Sequence, residues 1–166
     1  MASFTMTHDI ECDLDRFWTL FFDKEVTQAL YKHLGFPKWE LVDQKEDDKE
    51  IVRVVKAQPK LEMPGAVKKV LGESFGYTET GKFDKAAKKY TFDIKPSALE
   101  GKLTNRGSVR AEAVSGGNKT KRVVEIFLEA KVFGIGGMIE SITEKQTKDG
   151  WNESARYLND WIKKHP

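Results

Sequence analysis

The chain has 166 residues, 39% hydrophobic and 33% charged, a balance that excludes both an intrinsically disordered segment and a membrane-spanning bundle. Its 28 basic and 26 acidic residues leave a formal charge of only +2, which excludes the electrostatic footprint of a nucleic-acid-binding protein. A chain of this length builds one core, so residues 1–166 are expected to form a single domain.

The opening residues, Met1 to His8, carry no basic stretch followed by an apolar one; no secretory leader is read, and a cytoplasmic location is expected. From Phe4 to Ile10, Phe4, Met6, His8 and Ile10 alternate with Thr5, Thr7 and Asp9, the period-two pattern of a half-buried strand. Cys12, the single cysteine, has no internal disulfide partner and is read as a small buried residue. Asp13 stands where an N-cap is needed, and Leu14, Phe17, Trp18, Phe21 and Phe22 recur at helical spacing. A second short helix is predicted over residues 24–34, ended by Gly35 and Pro37.

Two strands follow at 39–45 and 50–57, joined by the polar residues Glu46 to Lys49. Residues 59–72 then interrupt the strands with a turn and a short helical stretch. Here Leu61, Met63, Val67 and Val70 are apolar, while Lys68 and Lys69 are basic. The combination fits a lid that touches a membrane transiently, and fits equally an ordinary connection packed against the end of the sheet.

Strands resume at 74–83, 89–95, 103–114 and 121–133, separated by Gly81, Pro96-Ser97 and Gly116-Gly117-Asn118. Connections this short require antiparallel pairing. The lysine clusters Lys68-Lys69, Lys88-Lys89 and Lys119-Thr-Lys-Arg122 flank turns and are read as solvated surface. From Gly136 to Lys164, Met138, Ile139, Ile142, Gln146, Trp151, Ala155, Leu158, Trp161 and Ile162 share one face of a long helix, with Gly150 as its weak point. The expected fold is α+β: a curved antiparallel sheet of about six to seven strands wrapped around a long C-terminal helix, with two short helices after strand one.

A sheet of that size curls, and one helix crossing its concave side leaves space. Inward positions on the strands are mainly aromatic and aliphatic with isolated polar tips, the lining of a small-molecule pocket, although the same residues also suit a dry core. The candidate ligand contacts are His8, Phe75, Tyr77, Tyr90, Phe92, Asn105, Ile126, Met138 and Ile142. His8, Tyr77, Tyr90 and Asn105 need hydrogen-bond partners if buried, which the polar end of a ligand or ordered water supplies. Arg53 joins them as an anchor for an acidic head group if its face turns inward; Ile51 and Val55 share that face, while Val52 and Val54 take the other.

The opening strand, the helix start Asp13-Leu-Asp-Arg-Phe-Trp18, the strand meander and the segment Val132-Phe-Gly-Ile-Gly-Gly-Met-Ile-Glu140 leading into a long helix resemble the START-like superfamily. That is the helix-grip fold of lipid-transfer START domains, birch-pollen-allergen-type proteins and polyketide cyclases. The segment Leu61-Glu-Met-Pro-Gly-Ala-Val67 together with Gly136-Gly-Met-Ile-Glu140 looks closest to an uncharacterised bacterial branch. The resemblance implies a fold and a hydrophobic cavity, and transfers no catalytic residue.

Catalytic and cofactor motifs are otherwise missing from the sequence. Gly134-Ile-Gly-Gly137 lacks the spacing of a dinucleotide fingerprint; its glycines are expected to turn the chain and start the helix close to the sheet. The three histidines lie in different elements without ligand spacing, so neither a metal nor another cofactor is expected. Glu140 and Glu144 are one helical turn apart and are read as exposed like charges. The expected function is binding or transfer of a lipid, sterol or polyketide-like molecule, with no nucleic-acid partner and an oligomeric state the sequence leaves open. The alternatives are a cyclase or dehydratase using the same cavity, or a chaperone-activator type of interaction module using the outward sheet face around Phe127.

Overall fold

The computed structural model describes residues 1–60 and 62–166. The alternating first segment forms strand β1 (Ala2–Ile10), with Met6 and Ile10 buried and Thr5, Thr7 and Asp9 exposed. Asp13 caps α1 (Leu14–Phe22) as expected, accepting from the Arg16 N–H at 2.8 Å. Asp23 repeats the device for α2 (Lys24–His33), accepting from the Val26 N–H at 2.9 Å. The chain continues through β2 (Lys38–Glu46), β3 (Glu50–Gln58), α3 (Gly65–Leu71), β4 (Tyr77–Asp84), β5 (Lys89–Pro96), β6 (Leu103–Val114), β7 (Lys119–Ala130) and α4 (Gly136–Lys164).

The seven strands form one antiparallel sheet in the order β1-β7-β6-β5-β4-β3-β2. Strands β2 to β7 are a simple meander, and β1 returns to pair with β7, setting Phe4 opposite Ile126 and His8 opposite Arg122. Helix α4 packs across β1 and β7, and α2 bridges α4 and the edge strand β2. This is the helix-grip arrangement. Two apolar clusters fill the concave side. The larger includes Phe17, Trp18, Phe83, Tyr90, Val124, Leu158 and Ile162; the smaller is built on Val67, Leu71, Ala130 and Ile139.

Strand β4 begins at Tyr77 rather than at 74, and three further details differ from the sequence reading. Gly81 does not break a strand but lies in the middle of β4. The last strand ends at Ala130 rather than 133, because the chain turns through Gly134 at φ +81° and leaves Phe133 fully exposed. Gly150 neither breaks nor ends α4, which runs 29 residues without interruption. The tight start of that helix is as expected: a Cβ on Gly136 would overlap the Ala130 carbonyl oxygen. No helix among the described residues is long and apolar enough to cross a membrane.

Candidate ligand-binding cavity

Between the sheet and α4 lies a cavity of about 640 Å³, within the range of small-molecule sites. Leu20 and Phe21 of α1, Phe92, Ile126 and Leu128 of the sheet, and Ile139 and Ile142 of α4 give it apolar walls. Both apolar clusters contribute to these walls, so the space separates two packed regions. His33, Lys60 and Asp149 are exposed members of the wall and come from α2, the segment after β3, and α4.

The alternation of β3 settles the facing of Arg53. Ile51, Arg53, Val55 and Ala57 are all buried, and Arg53 is only 7% exposed. Its Nε donates to the Tyr90 hydroxyl at 2.9 Å, its Nη1 to the Phe21 carbonyl at 3.4 Å, and its Nη2 reaches Glu79 at 3.5 Å. The guanidinium also lies 4.7 Å from the ring centroids of Phe21 and Tyr90. Tyr90 in turn donates to Glu79 at 2.6 Å, closing a triangle of groups. Gly81 makes this possible, since a Cβ there would overlap the Tyr90 hydroxyl. The glycine lets the phenol ring lie across β4 and reach Glu79 on that strand and Arg53 on β3 beyond it.

Burial holds the phenols of this wall in their neutral form. It pushes Tyr31 up to about 12, with the Glu79 carboxylate adding to the effect. Burial raises Tyr77 and Tyr90 well above the usual phenol range too, again helped by neighbouring anionic or phenolic groups.

A second buried arginine, Arg122 of β7, is 1% exposed and also lines the cavity. This corrects the reading of Lys119-Thr-Lys-Arg122 as solvated surface. Thr120, Arg122, Val124 and Ile126 share the inward face of β7, a parity that the alternation alone contained. The two N–H groups of Arg122 Nη2 are shared among three acceptors: His8 Nδ1 at 3.1 Å, the Trp151 carbonyl at 2.9 Å and Ser154 Oγ at 3.0 Å. Because a guanidinium only donates, His8 Nδ1 is the acceptor, and Nε2 carries the proton shared with Asn152 Oδ1 at 2.8 Å. Burial, then the Arg122 charge, lowers the His8 pKa from its ordinary 6.5.

Phe75, Tyr77, Tyr90, Phe92, Asn105, Ile126, Ile142 and Arg53 all line the cavity. His8 and Met138 do not. His8 faces inward but stands behind Arg122, between β1 and α4, and Met138 is 44% exposed because the helix turn gives the inward place to Ile139. In the connection after β3, Met63, Val67 and Leu71 turn inward to the wall. Lys68, Lys69 and Val70 are exposed, with Lys68 paired to Glu73 at 3.5 Å. Leu61 lies outside the described residues. Gln146 of α4 donates to the Glu62 carbonyl at 3.2 Å and ties this segment to the helix.

Two surface readings change. Phe127 faces outward but is covered by Arg106, its cross-strand partner, whose guanidinium lies 4.8 Å from the ring centroid. Glu140 is not an exposed charge: its side chain is 13% exposed and accepts from the Ala130 N–H at 3.3 Å. Glu79, Tyr31 and Arg122 were missed as site residues. Counting in twos from Tyr77 and from Val124 finds the first and last; Tyr31 follows Thr27 by one helical turn.

A family model described as a protein of unknown function (DUF2505) matches residues 5–162. A search of curated proteins finds no sequence match. Among solved structures, the Zhui aromatase/cyclase from Streptomyces sp. R1128 is 14% identical, with a TM-score of 0.69 over 97% of this chain and 95% of that one. The protein TTHA0849 from Thermus thermophilus is 15% identical, with a TM-score of 0.67 over 96% and 95%. A START superfamily protein from Mycobacterium smegmatis is 10% identical, with a TM-score of 0.63 over 99% of both chains. At these identities the likeness is one of fold, and the fold is START-like.

Proposed function

Because the chain belongs to the DUF2505 family, a family of unknown function, we propose its role from the cavity itself: it binds and carries a hydrophobic small molecule, of lipid, sterol or polyketide-like character. Residues 1–166 act as one domain around that molecule, in the cytoplasm. The observation that supports this reading is a space of about 640 Å³ between sheet and α4 whose exposed lining is mainly apolar, with polar side chains such as Arg53, Glu79, Asn105 and Arg122 set among the apolar ones. Each 100 Å² of apolar ligand surface buried there contributes about 2.5 kcal/mol before the costs of association. Arg53, Phe75, Tyr77, Tyr90, Phe92, Asn105, Ile126, Ile139 and Ile142 are the proposed contacts.

Binding is favoured over catalysis by the state of the phenols. A cyclase or dehydratase needs groups that exchange protons near neutral pH. Tyr31 holds its proton to about pH 12, and Tyr90 already donates its own to Glu79. His8, the residue with the most suitable ordinary pKa, stands behind the wall.

The deciding experiment is native mass spectrometry and solvent extraction of the purified protein. An apolar molecule is expected to co-purify. Its absence, combined with no thermal shift across a panel of lipids, sterols and polyphenols, overturns the proposal.

A further inference from the structure

The cavity holds two buried arginines in very different circumstances. Arg53 is matched by the Glu79 carboxylate, the Tyr90 hydroxyl and the faces of three aromatic rings, Phe21, Phe22 and Tyr90. Arg122 has no carboxylate within 4.0 Å among the described residues; His8, Ser154 and the Trp151 carbonyl, its hydrogen-bond acceptors, are neutral. All three contacts share the two N–H groups of one nitrogen, Nη2, and Nε is buried without a partner among the described residues. The guanidinium rests on the Trp151 ring, 4.9 Å from its centroid, which fixes its plane. An isolated buried cation is strongly unfavourable, and buried charges in proteins are paired. Here burial drags the guanidinium down to about 9, the direction expected of a cation without a counter-charge.

We propose that Arg122 anchors a single negative charge on the molecule held in the cavity, a carboxylate at the end of an otherwise apolar compound. This rests on the reading of the cavity as a hydrophobic binding site. One unmatched positive charge calls for one negative charge; a phosphate dianion brings more charge than the site neutralises. The carboxylate approaches from the cavity, where Arg122 forms part of the wall, and takes up Nη1, which makes no hydrogen bond among the described residues. Tyr31 faces the same space and supplies a neutral phenol. His8 is a positioning residue: its imidazole, held by Asn152, keeps Nη2 occupied and turned away from the ligand.

The test uses the full chain stripped of bound molecules, and isothermal titration with matched pairs: hexadecanoic acid against hexadecanol, and anthracene-9-carboxylic acid against anthracene-9-methanol. On at least one scaffold the acid is expected to bind roughly ten- to a hundredfold more tightly than the alcohol. In Arg122→Met that advantage shrinks to about twofold or less, while the thermal midpoint of the empty protein holds or rises because an unmatched buried charge is gone. If Arg122→Met fails to fold, Arg122→Gln takes its place in the same comparison, and an acid advantage that survives it overturns the anchor. Equal binding of acid and alcohol overturns the anchor and leaves the cavity reading standing. Tighter binding of hexadecyl phosphate than of hexadecanoic acid overturns the single-charge assignment. Failure of every compound to bind overturns anchor and cavity reading together.

Discussion

Tyr90 is the residue on which the polar wall depends, because its hydroxyl bridges a guanidinium and a carboxylate that otherwise meet only at 3.5 Å, between Arg53 Nη2 and Glu79 Oε2. Tyr90→Phe leaves the Arg53 Nε–H without its acceptor in a buried setting, and is expected to cost about 1–3 kcal/mol. Urea unfolding checks this; an unchanged midpoint would show that water replaces the hydroxyl freely. His8 makes a second residue-scale prediction. Its folded pKa lies below the ordinary 6.5, so between the two values the unfolded chain binds more protons than the folded one. Stability is therefore full above about pH 6.5 and falls as the pH drops through 6.5 toward the folded value. His8→Gln should flatten the pH dependence of the melting temperature over that window, and an unaltered slope would assign it to other groups. Arg122 escaped the sequence reading because charge outweighed parity: three of four residues in Lys119-Thr-Lys-Arg122 are basic, yet of those three only Arg122 shares the face of Thr120 and Val124.

Elements were more legible than their inner faces. The limits of α4 and β6 and the cap at Asp13 follow from periodicity and capping chemistry, which act locally and leave their mark in the residue order. Met138 and Gly81 were misread because helix rotation and close approach are set by packing, which local pattern does not encode. Helix α3 shows both sides. Val67 and Leu71 fix it over the cavity, while Lys68, Lys69 and Val70 face outward, as a lid that meets an anionic surface requires. If it serves as that lid, transfer of a fluorescent lipid from anionic vesicles should be faster than from neutral ones. Lys68→Glu with Lys69→Glu should erase the difference, without shifting the melting temperature by more than a degree or so, since exposed charges contribute little to stability. Equal transfer from both kinds of vesicle would make α3 an ordinary connection.

On the scale of the molecule, the cavity leaves apolar surface of the sheet and α4 without neighbours, so an occupant should stabilise the whole fold. At a hundredfold excess over its Kd a ligand adds about 2.7 kcal/mol. For a chain of this size each kcal/mol moves the melting temperature by about 2–4 °C, giving a rise of roughly 5–11 °C that differential scanning fluorimetry can follow. A bound molecule that produced no rise would be lying on the surface. The sheet order carries one further consequence. β1 must find β7, and the His8–Arg122 contact spans 114 positions of chain, whereas every other strand pairs with its successor. Closing so distant a pair is slow compared with folding the meander, and until it happens β7 presents an open edge. During refolding at high concentration, the opening strand of a second copy can occupy that edge as well as the chain's own. A dimer formed by mutual exchange of this one segment would keep every sheet bond, and would need only a rearranged connection between β1 and α1.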